Sequence, residues 1–337
     1  MKRQIIVGDI HGCYDEFIEL LENIGITEAD EVISLGDIVD RGPKSVELFE
    51  YFSSRKNAHV LMGNHERKHL NGILNYSQEI VKIQFGERYE AFLEWLKTLD
   101  YYYETNEAII VHAFFEHDKS LTNQKETVLS GSTSGTRYLE QKYEANTYWQ
   151  TFYQGEKPII YGHHVVGDAP KVINNTYGID TGACHGGMLT AIELPNFTIH
   201  QIRVQQDYWK TERTKWQLPV LEAKPWQTMT FEKIQKQIDK LRYIEKEEIQ
   251  LFLDTKVAWS NHIQAKTGWL LNRLIEQSKD IVLKNGQQKF NLVASQYKHK
   301  VFLFKAKSGS LTVKDIQESL NTPEKILKLE ERLKNNF

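Results

Sequence analysis

The sequence predicts an α/β protein: a sandwich of two β-sheets flanked by helices over residues 1–204, then a basic α+β extension over residues 205–337. Three features lead there. Short apolar runs alternate with amphipathic helical stretches through the first hundred residues. Strand signals crowd together from residue 158 to residue 204. Beyond about residue 227 apolar residues return at helical spacing, in sequence rich in Lys and Arg.

Gln4-Ile5-Ile6-Val7, Val32-Ile33-Ser34-Leu35 and His59-Val60-Leu61-Met62 are short apolar runs and read as buried strands. Between the first two, Tyr14–Ile24 carries apolar residues at helical spacing, and residues 45–52 repeat the pattern with Pro43 near their start. A β-α-β-α-β order puts helices on the sheet faces and loop residues at the carboxyl ends of the strands. Residues 66–108 read as largely helical, with Phe85, Tyr89, Phe92, Leu93 and Leu96 on one face. The strand Ile109-Ile110-Val111 follows. Residues 114–157 are polar and irregular, with a Ser/Gly/Thr cluster at 130–136, and form a candidate substrate-binding cap or lid. Strands then occupy residues 158–163, 176–180, 188–194 and 197–204.

Pro219 and Pro225, near Trp209, Trp216 and Trp226, mark a boundary around residues 205–227. After it Phe231, Ile234, Ile238 and Leu241 follow Thr230, a predicted N-cap. A second helix carries Trp259, Ile263, Trp269, Leu270 and Leu274. Residues 290–295 and 300–305 read as a strand pair, and Thr322-Pro323-Glu324 starts a last helix.

The chemistry sits where the strands end. Gly8-Asp9-Ile10-His11-Gly12 follows the first strand, Gly36-Asp37-Ile38-Val39-Asp40-Arg41-Gly42 the second, and Gly63-Asn64-His65-Glu66 the third. Two later strands end in His112 and in Gly162-His163. Five strands thus deliver Asp, His, Asp, Asn, His and His to one sheet edge, a ligand set suited to a pair of divalent cations. Asp9 and His11 can converge on one ion, Asp37 can bridge two, and Asn64, His112 and His163 supply neutral ligands to the second. Two such ions lower the pKa of a shared water and neutralise phosphate oxygens during in-line attack. A single strand-end Asp or His is usually a cap or a solvated loop residue; six in this order are not.

These segments resemble the three signature motifs of the phosphoprotein phosphatase (PPP) family of metallophosphoesterases, whose bacterial members share a calcineurin-like sandwich. Ile179-Asp180-Thr181-Gly182-Ala183-Cys184-His185-Gly186-Gly187-Met188-Leu189-Thr190-Ala191 is similar to the closing segment of those members. They include phage lambda-type protein phosphatases, symmetrical diadenosine tetraphosphatases and RNA-end phosphatases. The resemblance covers about residues 1–204. It implies Asp9, His11 and Asp37 on one metal, and Asp37, Asn64, His112 and His163 on the other. It also implies His65 as general acid, Asp40 as its orienting partner, and Arg41 on the phosphate. An alkoxide leaves badly, so a protonated imidazole aligned by a carboxylate helps it go. Arginine offers a planar fork of donors to phosphoryl oxygens. Mixed oxygen and nitrogen sites hold Mn²⁺, Fe or Zn²⁺, and the resemblance points to Mn²⁺.

Some positions depart from that pattern. Ala113-Phe114-Phe115 follows His112 where relatives have Ala-Gly, which alters the cleft. A second phosphate-binding arginine is expected between the fourth and fifth motifs, and Arg137 is the nearest candidate. His164 stands where Thr or Asp is more common. His117 and His185 read as ordinary polar residues, Asp180-Thr181-Gly182 as a turn at a strand boundary, and Cys184 as a small buried residue.

A hydrophobic fraction of 40% with 26% charged residues is ordinary for a soluble chain of 337 residues, which has room for one large domain and a smaller one. Cys13 and Cys184 lack the spacing of a disulfide framework or zinc site. No signal-peptide core fits ahead of Val7 and no run approaches the ~20 apolar residues of a membrane span, so the cytoplasm is the expected compartment. The net charge of −3 hides a division. Residues 1–200 hold 17 Lys+Arg against 29 Asp+Glu, a net −12, and residues 201–337 hold 25 against 16, a net +9. The basic half can attract an anionic partner, protein or nucleic acid.

The leading expectation is a two-metal phosphomonoesterase acting on phosphoserine or phosphothreonine in proteins. The alternative keeps the metal chemistry on a nucleotide, either a dinucleoside polyphosphate or an RNA-end phosphate. A non-catalytic metal-binding scaffold fits poorly with His65, Asp40 and Arg41 together.

Overall fold

The structure, a computed structural model, describes residues 3–143 and 148–335. The chain packs as two units that divide between Val220 and Leu221.

Three parallel strands begin the first sheet of the N-terminal unit: β1 (Gln4–Val7), β2 (Glu31–Ser34) and β3 (Ala58–Val60). The second sheet takes β4 (Tyr102–Glu104), β5 (Ile109–Val111), β6 (Ile159–Tyr161), β7 (Lys171–Ile173) and β8 (Thr176–Gly178), in the order β4-β5-β6-β8-β7. The chain then returns to the first sheet. β9 (Met188–Leu194) pairs antiparallel with β1 and β10 (Thr198–Arg203) with β9, completing the order β10-β9-β1-β2-β3.

Successive strand residues point to opposite faces, and both faces are buried. Ile6, Ile33 and Ile192 meet Ile110, Ile160 and Ile179 in one core cluster, while Ile5, Val7 and Val32 pack with the first helices. Each fully buried side chain of this size contributes about 1.5–3 kcal/mol before conformational entropy is counted. On the second sheet Ile109, Val111, Ile159 and Tyr161 pack with Val128, Leu129 and Trp149.

Helix α1 (Tyr14–Ile24) buries Phe17, Leu20, Leu21 and Ile24, a spacing of three and four that makes one apolar stripe. It stops at Gly25, whose left-handed backbone (φ 67°) lets its N–H reach the Glu22 carbonyl. Helices α2 (Ser45–Ser54), α3 (Asn64–Leu70), α4 (Tyr76–Phe85) and α5 (Tyr89–Leu96) follow, the last burying Tyr89, Phe92 and Leu96. Residues 66–108 are thus mainly helical but end in β4, an edge strand paired only with β5 and carrying no apolar run. Residues 114–157 hold α6 (Glu126–Leu129) and α7 (Thr133–Lys142), the latter capped by the Ser132 hydroxyl, which accepts the Gly135 N–H.

Helices α8 (Tyr208–Lys215) and α9 (Gln217–Ala223) lead into the second unit. There α10 (Phe231–Leu241), α11 (Glu247–Asn285), α12 (Phe290–Ala294), α13 (Lys300–Lys307), α14 (Val313–Ser319) and α15 (Pro323–Asn335) surround a single core. Thr230 caps α10 as expected, accepting the Lys233 N–H. The strand pair expected at residues 290–295 and 300–305 is helical instead, so the extension is all-helical, not α+β, among the described residues. Phe-Asn-Leu-Val-Ala and Val-Phe-Leu-Phe are short runs of β-favouring residues in which period alone cannot separate strand from helix. Packing decides: Phe290, Phe302 and Leu303 are buried in one cluster with Leu270 and Leu274 of α11. No helix among the described residues is long and apolar enough to cross a membrane.

Candidate metal centre and active site

The loops after β1, β2, β3, β5 and β6 gather all six expected ligands at one end of the sandwich. The first two loops are joined by backbone: the His11 N–H donates to the Asp37 carbonyl and the Gly12 N–H to the Ile38 carbonyl, each at 2.9 Å. Among the described residues seven non-glycine residues have positive φ, and five of them lie here: His11 (47°), Asp37 (50°), Asp40 (71°), Arg41 (67°) and His163 (74°). Each such residue costs on the order of 1–3 kcal/mol, strain that clusters where side chains must be aimed. Two glycines make the room. A Cβ on Gly63 would lie 2.2 Å from Asp37 Oδ1, and one on Gly162 would lie 2.1 Å from Asp9 Oδ1.

Two groups of ligand atoms result. His11, Asp37 and His65 each offer an atom within 4.8 Å of the others, and so do Asp37, His112 and His163. Asp37 belongs to both. Its Oδ2 is 3.7 Å from His11 Nε2, and its Oδ1 is 3.6 Å from His112 Nε2. Asn64 Oδ1 lies 2.9 Å from His163 Nδ1 and 3.2 Å from His112 Nε2. Asp9 falls outside both groups; its carboxylate accepts the His163 backbone N–H at 3.1 and 3.2 Å.

The donor set fits divalent cations. His11 Nδ1 donates to the Val39 carbonyl at 2.8 Å and His112 Nδ1 to the Leu35 carbonyl at 3.0 Å, so in each neutral ring Nε2 keeps its lone pair toward Asp37. Burial favours those neutral rings: it pushes His11 and His112 below the usual histidine range and His163 down to about 2, with help from neighbouring imidazoles at His163. The carboxylates crowd each other. Burial, then the charges of Asp180 and Asp37, raise Asp9 well above the carboxylate range, and burial raises Asp180 to about 6. Buried lone pairs facing buried carboxylates call for positive charge between them.

His65, a member of the first group, also has partners outside it. Its Nδ1 is 2.5 Å from Asp40 Oδ2, and its Nε2 is 3.2 Å from Arg41 Nη2. Asp40 has no exposed surface; burial opposes its charge, but His69 and His65 outweigh that and hold it well below the carboxylate range. Arg137 sits apart on α7, in the wall of a cleft of about 1010 Å³ that Asn64 and His163 also line. Phe114 stacks edge-on against His163 and His164, while Phe115 joins the outer core with Trp149. Cys184 is buried 4.0 Å from an Arg41 nitrogen, and burial pushes its thiol to about 12. His117 bonds the Tyr143 hydroxyl, an ordinary polar role.

Four residues that reasoning from sequence passed over support the cluster. Glu66 accepts the backbone N–H groups of Asp37 and Ile38. His69, one helical turn after His65, bridges Asp40 (3.1 Å) to the Tyr89 hydroxyl (2.9 Å). Gln78 donates to Asp40 while its Oε1 accepts the Asn75 N–H in a capping box. Asp180, read as a turn residue, does accept the Gly182 N–H at 3.0 Å, but it is also buried against Asp9. Only the histidine spacing on α3 was a readable signal.

A family model described as calcineurin-like phosphoesterase matches residues 2–226. The chain belongs to this family. It is accordingly a metal-dependent phosphoric ester hydrolase, and the ligand groups above are its candidate divalent metal centre. The chain is similar to the asymmetrical bis(5'-nucleosyl)-tetraphosphatase PrpE of Halalkalibacterium halodurans, 30% identical over an alignment of 237 positions, gaps included, that covers 60% of this chain and 94% of that protein. It is 29% identical to the Bacillus subtilis protein of the same name over an alignment of 221 positions, gaps included, that covers 56% of this chain and 90% of that one. A crystal structure of a proposed diadenosine tetraphosphatase superposes with a TM-score of 0.50 at 22% identity, covering 60% of this chain and 93% of that one, a likeness of fold alone.

Proposed function

We propose that the protein is a two-metal nucleotide phosphohydrolase whose substrate is a dinucleoside polyphosphate. The sequence favoured a protein phosphatase with the nucleotide reading as alternative; the relatives reverse that preference. The supporting observation is that tetraphosphatases are matched over nine-tenths of their length by this chain.

Asp9, His11 and Asp37 would hold one ion, and Asp37, Asn64, His112 and His163 the other, with Mn²⁺ the proposed metal. Divalent ions there supply an acidified water and charge for the phosphoryl oxygens. The chain's own residues do the rest. Arg41 presents its guanidinium fork to the phosphoryl group, and in doing so leaves the His65 Nε2 it faces in the free protein. His65 then carries a proton on Nε2 and delivers it to the leaving oxygen, while Asp40 accepts from Nδ1 and keeps the ring aligned. His69 and Gln78 hold Asp40 in turn.

The test is a comparison of kcat/KM for the Mn²⁺-loaded full chain on diadenosine tetraphosphate, a phosphoserine peptide, an RNA 2′,3′-phosphate and p-nitrophenyl phosphate. Diadenosine tetraphosphate is expected to lead, with all activity lost to chelator. A phosphoserine peptide preferred tenfold or more would restore the protein-phosphatase reading.

A further inference from the structure

We infer that Lys68 is a specificity residue: it holds the phosphates of a polyphosphate substrate that lie beyond the one under attack, in the cleft that opens from the metal centre. The inference rests on the nucleotide reading above and names where that substrate's chain runs.

The cleft of about 1010 Å³ is lined by Asn64 and His163 at one side and continues along α3 and the first turns of α7. Its walls are unlike those of an ordinary ligand pocket, which are mainly apolar. Among the described residues that line it, only Ile73 and Tyr138 bring carbon-rich side chains; most of the rest are Asn, Ser, Thr, Gln and charged groups. The charged ones are Arg67, Lys68 and Arg137 against a single acid, Glu140. Residues 1–200 carry a net −12, so this wall reverses the local sign and favours an anion.

The three cations are not equivalent. Arg67 is already engaged, donating to the Tyr101 hydroxyl at 2.5 Å and lying 3.8 Å from the Glu126 carboxylate. Arg137 is exposed. Lys68 is half-buried, and its ammonium makes no hydrogen bond or ion pair among the described residues. An ammonium in the cleft wall with no protein partner is free to take the oxygens of a bound anion instead.

Position on the helix supplies direction. Lys68 follows Asn64 by four residues on α3, so the two share a face and stand about 6 Å apart along the axis. A phosphoryl group beside Asn64 would therefore have its neighbouring phosphates within reach of Lys68. A phosphoserine side chain has none to offer. Lysine also suits a flexible chain of phosphates, being a compact charge with rotatable donors on a long stem.

The experiment uses the full chain with Lys68→Ala and Lys68→Arg. Calorimetry with a methylene-bridged diadenosine tetraphosphate reads binding, and kcat/KM is compared between diadenosine tetraphosphate and p-nitrophenyl phosphate. Lys68→Ala is expected to weaken analogue binding about tenfold, the scale of one lost charged hydrogen bond, and to lower the ratio of the two kcat/KM values by a similar factor. Lys68→Arg should recover most of both. Equal losses on the two substrates, or unaltered analogue affinity, overturn the inference. If the unsubstituted protein fails to hydrolyse diadenosine tetraphosphate, the nucleotide reading fails by itself. Inhibition of aryl phosphate hydrolysis by inorganic tripolyphosphate, with metal in excess, then decides: dependence on Lys68 upholds the polyphosphate subsite and independence removes it.

Discussion

The Glu66 carboxylate has no exposed surface and accepts the N–H of Asp37 at 2.8 Å and of Ile38 at 2.9 Å. Those bonds hold Asp37 at a φ of 50°, a conformation that costs about 1–3 kcal/mol. Burial, then the Asp37 charge, pushes the Glu66 carboxyl above the usual carboxylate range. Even as ordinary hydrogen bonds of about 0.5–1.5 kcal/mol each, the two are together large enough to offset that cost. Glu66→Gln keeps the shape but turns one acceptor into an N–H₂ that faces a backbone donor. Leaving that donor buried and unpaired costs about 1–3 kcal/mol. The expected result is a Tm lower by roughly 2–12 °C, at about 2–4 °C per kcal/mol, together with weaker metal retention on dialysis. An unaltered Tm and metal content would show that the loop needs no such anchor. Sequence could not reveal this role. Glu66 was visible as the last letter of a motif, but its partners lie 28 and 29 residues earlier, and their bonds are to backbone, which leaves no trace in residue type. The candidate ligands themselves were legible because each sits directly after an apolar run. The positive φ values were not, since nothing in Asp or His announces them.

At the level of elements, legibility followed burial. β1, β2, β5 and β6 are buried apolar runs and could be read, whereas β4 and β7 are edge strands whose residues are mostly half-buried or exposed. Packing against α11 made helices of the two runs that resembled strands. One buried group in that helical unit gives the unit a pH dependence. His299, just before α13, has Nε2 2.8 Å from Gln277 Oε1 on α11, while its Nδ1 has no hydrogen-bond partner among the described residues. Burial, then the Arg332 charge, lowers its pKa to about 4. A depressed histidine favours the neutral ring in the fold, so its stabilisation is complete above the unfolded pKa of about 6.5 and is lost as pH falls through about 4. The loss should be on the order of 2 kcal/mol, after discounting for partial solvent access. Unfolding followed by tryptophan fluorescence at pH 7 and pH 4.5 measures it, with His299→Gln expected to flatten the difference. An equal pH dependence in the variant would place the titrating group elsewhere.

Over the whole molecule, charge and packing separate the two halves at slightly different places. The proline and tryptophan cluster suggested a catalytic domain ending at residue 204, while the compact N-terminal unit runs to Val220 and the family match to residue 226. Helix α8 accounts for the difference. The Tyr208 hydroxyl donates to Glu16 Oε1 at 2.8 Å, the Tyr76 hydroxyl donates to the Arg213 carbonyl at 2.7 Å, and the Trp209 ring lies 6.3 Å from that of Tyr76. Pro219 lies in the first turn of α9, where a proline is tolerated, and Pro225 follows its end, so neither marks the end of the sandwich's own packing. A chain ending at Val204 forfeits two hydrogen bonds at about 1 kcal/mol each and the burial of Tyr208 and Trp209 at about 1.5–3 kcal/mol more. A chain ending at Val220 keeps them. The expected outcome is that the longer of the two folds and hydrolyses p-nitrophenyl phosphate like the full chain, while the shorter one is less stable by roughly 3–5 kcal/mol in urea unfolding. The basic half, with its net +9, is proposed to attract a large anionic substrate or partner. That attraction is screened beyond about 8 Å at 0.15 M salt, so it should show as a preference for long polyanionic substrates at low salt that the chain ending at Val220 lacks. Identical salt dependence in the full and shortened chains, on every large substrate tried, would leave the helical unit no part in substrate choice and make packing or oligomerisation its better account.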